Sequence, residues 1–269
     1  MPDTKQSKST SDDKNPSLHL LRAEYSQRNE REAAIDTEFR ELNKEFLSIL
    51  GDRAWNWDMQ VLLKRQVLSR LLHYYEVYKL ILPVPGVILE FGVQWGATLA
   101  TLTSLRGMFE PYNHARKIVG FDTFEGFASV SDQDLDFSKS GQYTVEAGYE
   151  KKLDLILSMH EELAPISHIK KFELIKGDAC ETVPRYIQSN PHLIIACAIF
   201  DFDIYKPTKA AIDAVLPRLT KGSVLVFDEL NCKHFPGETQ ALIECLGLNN
   251  LRLICNPHQP YTSYAIYEG

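Results

Sequence analysis

Four short apolar runs that stop at acidic residues constrain this chain more than any other feature. Val87-Ile88-Leu89 runs into Glu90, Ile118-Val119-Gly120-Phe121 into Asp122, and Ile194 to Phe200 into Asp201-Phe202-Asp203. Ser223 to Phe227 ends the same way, at Asp228-Glu229. In an open α/β sheet, ligands bind beyond the carboxyl ends of the parallel strands, at the switch in strand order. The sequence therefore predicts acids converging on one crevice, an arrangement suited to a cation, a sugar or both.

The spacing between the runs supports such a sheet. Strands at 87–91, 117–122, 171–177, 193–202 and 222–228 alternate with helical patterns near 96–109, 149–163, 181–189, 207–218 and 238–246. This alternation demands a mainly parallel sheet with helices on both faces. The end of the chain differs. Leu251 to Cys255 and Tyr261 to Tyr267 are separated only by a Pro-containing turn, too short for a crossover, so they predict an antiparallel hairpin. An α/β sheet finished in this way fits a Rossmann-like methyltransferase fold better than a dehydrogenase fold.

Ahead of the sheet, residues 1–16 are polar and aperiodic and are expected to form a disordered tail. Residues 17–85 are read as a helical extension, from Phe39, Leu42, Phe46 and Ile49 and then from Leu63, Val67, Leu71, Tyr74 and Tyr78 at helical spacing. That extension is either a cap on the sheet or an oligomerisation arm. Residues 86–269 form the predicted catalytic domain. Within it, the polar interval of about 127–149 is too long for a simple connection and reads as a lid.

Bulk properties exclude several functions. The 269 residues carry a net charge of −7, which argues against nucleic acid or an anionic membrane as partner. The longest apolar stretch falls well short of the ~20 residues needed to span a bilayer, and no leader pattern opens the chain, so a cytoplasmic location is expected. The cysteines Cys180, Cys197, Cys232, Cys245 and Cys255 are odd in number with no C-x-x-C pair. They are expected to be reduced thiols, mostly buried.

Glu90-x-Gly92-x-x-x-Gly96 is a glycine turn, but it lacks the G-x-G-x-x-G spacing that receives a pyrophosphate. An acid ahead of such a turn suits a cationic sulfonium or ammonium; the plainer reading is a tight strand-to-helix turn. Asp122, at the next strand end, is placed to accept from ribose hydroxyls. Asp178, after Gly177, either receives an adenine amino group or caps the helix that follows. Asp201 and Asp203 share one face if the strand continues through them. His234 is a second candidate base or a substrate contact. Tyr143, on the lid, is a candidate stacking residue. Lys206, Lys233 and Arg185 could meet a phosphate, though each also suits plain solvent exposure.

Taken together, Glu90-Phe-Gly-Val, Phe121-Asp-Thr-Phe-Glu-Gly-Phe127, Gly177-Asp178, Asp201-Phe-Asp-Ile-Tyr-Lys-Pro-Thr208 and Phe227-Asp-Glu-Leu-Asn231 resemble the macrocin O-methyltransferase family. Its members are class I S-adenosylmethionine-dependent enzymes that methylate sugar hydroxyls of antibiotics, nucleotide-sugars and related glycans. The resemblance spans about Val87 to Gly269. It implies a cofactor site of Glu90, Gly92, Val93, Gly96, Thr98, Asp122, Thr123, Asp178, Ala179 and Asp201. It also implies Mg²⁺ on Asp201, Asp228 and Glu229, with Asp203 as general base. Two departures stand out: Gln94-Trp95 replaces a small or basic pair, and Glu229 stands where many relatives carry a second Asp.

The expected partners follow. They are a small sugar-containing acceptor and further copies of the chain, with neither nucleic acid nor membrane. Two other readings stand beside this one. Asp201-Phe-Asp203 could be the D-x-D of a nucleotide-sugar glycosyltransferase, which the glycine turn and hairpin oppose. A silent cofactor-binding scaffold would have no need for so many strand-end acids.

Overall fold

A computed structural model describes residues 30–53, 57–135, 138–257 and 259–269. The expected tail over 1–16 and the start of the helical extension lie outside these residues. The chain divides into two compact units, one ending at Lys64 and one running from Arg65 to Gly269.

In the first unit, helix α1 (Glu30–Leu50) opens with Glu30 and Glu32 in its first turn, where acids favour the positive end of the helix dipole. Lys64 pairs with Asp36 of α1 and lies 5.3 Å over the Phe39 ring.

The second unit starts with α2 (Arg65–Ile81), which buries His73, Tyr74, Val77, Tyr78 and Ile81 along one face. The second expected pre-sheet helix therefore belongs with the sheet. There follow β1 (Val87–Phe91), α3 (Ala97–Phe109), β2 (Ile118–Asp122), α4 (Tyr149–Glu162), β3 (Phe172–Lys176), α5 (Ala179–Ser189) and β4 (Ile195–Phe200). The chain closes with α6 (Tyr205–Val215), β5 (Leu219–Phe227), α7 (Pro236–Cys245), β6 (Ile254–Asn256) and β7 (Gln259–Ile266).

The strands form one seven-stranded sheet in the order β3-β2-β1-β4-β5-β7-β6. The first five are parallel neighbours, while β7 runs antiparallel to both β5 and β6. This is the Rossmann-like class I methyltransferase architecture, with its C-terminal hairpin. Strand order reverses between β1 and β4, where Phe91 pairs with Phe200, and that is where a crevice opens.

Two apolar layers clamp the sheet. Tyr74, Val77, Tyr78 and Ile81 of α2 pack with Leu99 and Leu102 of α3 and Leu153 and Leu157 of α4 on one face. Val183 and Ile187 of α5, Ala211, Ile212 and Val215 of α6, and Ala241 and Leu242 of α7 cover the other. Among the described residues no helix is long and apolar enough to cross a membrane. All five cysteines are free, but only Cys197 and Cys232 are buried. Cys180 and Cys245 are half-buried at the ends of α5 and α7, and Cys255 is exposed on the edge strand β6. The expectation of mostly buried thiols is corrected accordingly.

Candidate active site

The ends of β1, β2, β4 and β5 surround a crevice of about 430 Å³, within the range of small-molecule sites. Its floor is the glycine turn after β1. Gly92 has φ +96°, and a Cβ there would lie 1.9 Å from the Asp201 carbonyl oxygen. Only glycine lets the two strand ends meet so closely. Gly96, also in the left-handed region, starts α3 without a side-chain cap; it shapes the turn and does not line the crevice.

Asp122 holds this turn in place. Its Oδ2 accepts from the Val93 and Gln94 amides at 2.7 and 2.8 Å, and its Oδ1 from the Phe124 amide at 2.5 Å. A carboxylate has about four acceptor positions, so most of this one is committed to the protein's own backbone. Asp178 is likewise the N-cap of α5, its Oδ1 accepting from the Cys180 amide at 2.9 Å, while it also lines the crevice. The capping reading is therefore realised, and a ligand-facing role remains compatible with it.

Glu90 is 1% exposed, and its Oε2 has no hydrogen-bond partner among the described residues. Burial, and then the Asp201 carboxylate, hold its carboxyl well above the usual range; Arg70 opposes them. Asp201 and Asp203 are raised in the same way, by burial first and then by neighbouring acids. β4 ends at Phe200, so strand alternation does not bring Asp201 and Asp203 together, contrary to expectation. Asp203 instead has φ +62° and turns the chain into α6. Both residues line the crevice. Gln94, Phe124 and Tyr143 share such left-handed backbone, a concentration of strain common at functional sites.

The carboxylates at the β4 and β5 ends are bridged by a residue that the sequence reading missed. Arg70 of α2 donates from Nη2 to Asp201 at 2.8 Å and from Nη1 to Asp228 at 3.2 Å. Its Nη2 also lies 3.2 Å from Thr98 Oγ1, and the guanidinium sits 5.4 Å over the Tyr74 ring. A sequence signal for it exists: Arg70 falls at helical spacing with buried Tyr74, Val77 and Ile81, so it interrupts an apolar face. The second missed residue is Glu238, fully buried at the start of α7, which accepts the Glu229 amide at 3.1 Å.

Of the remaining candidates, Val93, Thr98, Thr123, Ala179, Asp228, Glu229 and Tyr143 line the crevice. His234 is half-buried and outside that lining. Lys206, Lys233 and Arg185 are exposed and also outside it, with Arg185 facing Glu181 at 3.5 Å. Within the expected lid, the Phe127 amide donates to Gln142 O and the Gly141 amide to Phe127 O. Asp134, in its middle, accepts from the Tyr205 amide at 2.7 Å.

Comparison with solved structures supplies the decisive observation. The calicheamicin methyltransferase CalS11 is 36% identical over the whole of both chains, with a TM-score of 0.85. The chain belongs to the sugar O-methyltransferase family. It is an S-adenosylmethionine-dependent O-methyltransferase. The apo structure of CalS11, described as a TDP-rhamnose 3'-O-methyltransferase of calicheamicin biosynthesis, is 37% identical over 93% of this chain and 99% of that one, at TM-score 0.80. The O-methyltransferase NovP, at 15% identity and TM-score 0.58 over 75% of this chain and 80% of its own, shares the fold. No protein-family model matches the chain, and no curated protein does.

The crevice fits the cofactor. The cradle at Gly92, the buried Glu90 with its Oε2 unpartnered among the described residues, and the surrounding carboxylates suit a ligand that carries both a sulfonium and an ammonium group. For Mg²⁺ the donor chemistry fits, since Asp201, Asp228 and Glu229 offer hard oxygens. Among the described residues, though, no three metal-ligating side chains form a ready-made cluster. The Arg70 guanidinium is the cation that two of these carboxylates hold.

Proposed function

We propose that this enzyme methylates a sugar hydroxyl, with a nucleotide-linked deoxysugar or a glycosylated natural product as acceptor and Asp203 as general base. The observation that carries this reading is the Asp203 carboxyl. It lies in the crevice beside Asp201, at the switch point, and its raised proton affinity suits a base that must take a proton from an alcohol. The name of CalS11, whose acceptor is TDP-rhamnose, supports the nucleotide-linked class.

Glu90, Gly92, Val93, Thr98, Asp122, Thr123, Asp178, Ala179 and Asp201 would hold S-adenosylmethionine, which supplies an already activated methyl group. Asp201, Asp228 and Glu229 would hold Mg²⁺, which lowers the pKa of a coordinated hydroxyl. Asp203 Oδ accepts the hydroxyl proton. Glu238 fixes the backbone at Glu229, and the Asp134 contact holds the 127–149 segment over the crevice as a lid that excludes water. His234 has no part in this scheme. The exposed apolar residues Val67, Leu68, Leu71 and Leu72 on α2 support self-association in a cytoplasmic enzyme.

The test is a panel of nucleoside-diphosphate deoxysugars and glycosylated metabolites incubated with methyl-labelled cofactor, read by mass spectrometry. Labelled sugar is expected to form with Mg²⁺, to vanish with EDTA and to return when Mg²⁺ is restored. Turnover unchanged by exhaustive chelation would remove the metal from the scheme. Release of nucleoside diphosphate without methylation would mean glycosyl transfer instead.

A further inference from the structure

Charge accounting in the crevice leads to a role for Arg70. Among the described residues that line it are seven acids, Glu90, Asp122, Asp178, Asp201, Asp203, Asp228 and Glu229, and a single base, Arg70. S-adenosylmethionine brings two cationic groups, which the acids can serve, and one α-carboxylate, which they repel. An anion driven into a crevice of this charge needs a fixed cation within hydrogen-bond reach.

Arg70 meets that requirement by position. The guanidinium is anchored over Tyr74, and its Nη2 is shared between Asp201 and Thr98 Oγ1 at 2.8 and 3.2 Å. Thr98 stands in the first turn of α3, whose N-terminus has no side-chain cap, so its backbone amides and the positive helix end face the same corner. A planar fork with five donors is suited to gripping a carboxylate while keeping contact with Asp201. We infer that Arg70, with Thr98 and the start of α3, receives the amino-acid carboxylate of S-adenosylmethionine, so that α2 is part of the cofactor site. Arg70 is then a specificity residue that selects the complete cofactor over analogues lacking the carboxylate.

The test compares two ligands by calorimetry: S-adenosylmethionine and its decarboxylated analogue. Wild-type protein should prefer the intact cofactor by about 10-fold or more, the size of one charge-assisted contact. In Arg70→Met that preference should disappear or reverse, with the analogue still bound, which also shows that the variant is folded. Arg70→Lys, which keeps the charge but loses the fork, should retain part of the preference. Exposed Lys206→Met removes a charge outside the crevice lining, and should leave the ratio of the two affinities unchanged. The inference is overturned if Arg70→Met weakens both ligands equally, if it leaves the preference intact, or if Lys206→Met shifts the ratio as much. Should Arg70→Met bind neither ligand, Arg70→Lys decides: an unchanged wild-type preference there overturns the role of the fork. Failure of wild-type protein to bind either ligand would instead count against the cofactor site as a whole.

Discussion

In the proposed scheme the chemistry turns on Asp203. Its left-handed backbone takes it off the end of β4 and into the crevice, a conformation that costs on the order of 1 kcal/mol or more for a non-glycine residue and must be held by its surroundings. The amide of Tyr205, two residues on, is held by Asp134. Asp203→Asn keeps the shape and removes the basicity, so kcat should fall about 10²-fold or more while cofactor affinity stays close to wild type. Single-turnover kinetics beside calorimetry would check this. His234→Gln, changed outside the crevice lining, should alter kcat by less than about 3-fold; a larger fall there with little effect in Asp203→Asn would move the base to His234. Glu90 and Asp203 were both legible as site acids, because an acid that ends a buried run stands out. The part played by Asp122 was not legible, since its three backbone partners are set by how the chain folds back and leave no trace in composition.

At the scale of elements, helix α2 links packing to the site. One face buries Tyr74, Val77, Tyr78 and Ile81, and the same face delivers Arg70 to Asp201 and Asp228. Read from the sequence for apolar positions alone, the helix was either a cap or an arm, and the charged residue that interrupts its apolar face went unremarked. The order of strands and helices was legible from alternation, and so was the terminal hairpin. The end of β4 was placed two residues late, because nothing in Asp201-Phe202-Asp203 announces a left-handed turn. His73 gives α2 a pH signature. It is 1% exposed, with neither ring nitrogen hydrogen-bonded among the described residues. Burial lowers its pKa from 6.5 to about 4, with Asp228 opposing and Arg70 adding to the shift. The unfolded chain thus binds the proton more tightly, and the stability that neutral His73 contributes is complete above about pH 6.5 and lost as the pH falls towards 4. Denaturant titrations at pH 7 and pH 5 should differ by about 2 kcal/mol from this source. His73→Leu should remove that difference, and an unchanged pH slope in the variant would show that other groups carry it.

For the molecule as a whole, one wall of the crevice comes from residues outside the strands and helices. Between β2 and α4 the chain sends Phe127, Ala128, Ser129 and Tyr143 into the crevice lining. It is held by the Phe127–Gln142 pairing and by Asp134, which also accepts from Ser131. Gly237 of α7 makes room for this anchor, since a Cβ there would lie 2.2 Å from Asp134 Oδ1. Asp134 thus ties the described part of this segment to the start of α6, while Val145 packs into the core and the Tyr143 ring lies 6.4 Å from that of Phe235. As the lid proposed above, the part around Asp134 would loosen when that contact is lost, without disturbing the sheet. Limited proteolysis between Phe127 and Tyr149 should therefore slow when S-adenosylmethionine, Mg²⁺ and acceptor are present together. Asp134→Ala should speed cleavage in their absence and raise the acceptor KM by about 10-fold or more, with cofactor affinity changed much less, because the lost contact holds the lid rather than the glycine turn. Equal cleavage rates with and without ligands, in both proteins, would make this segment a connection and nothing more.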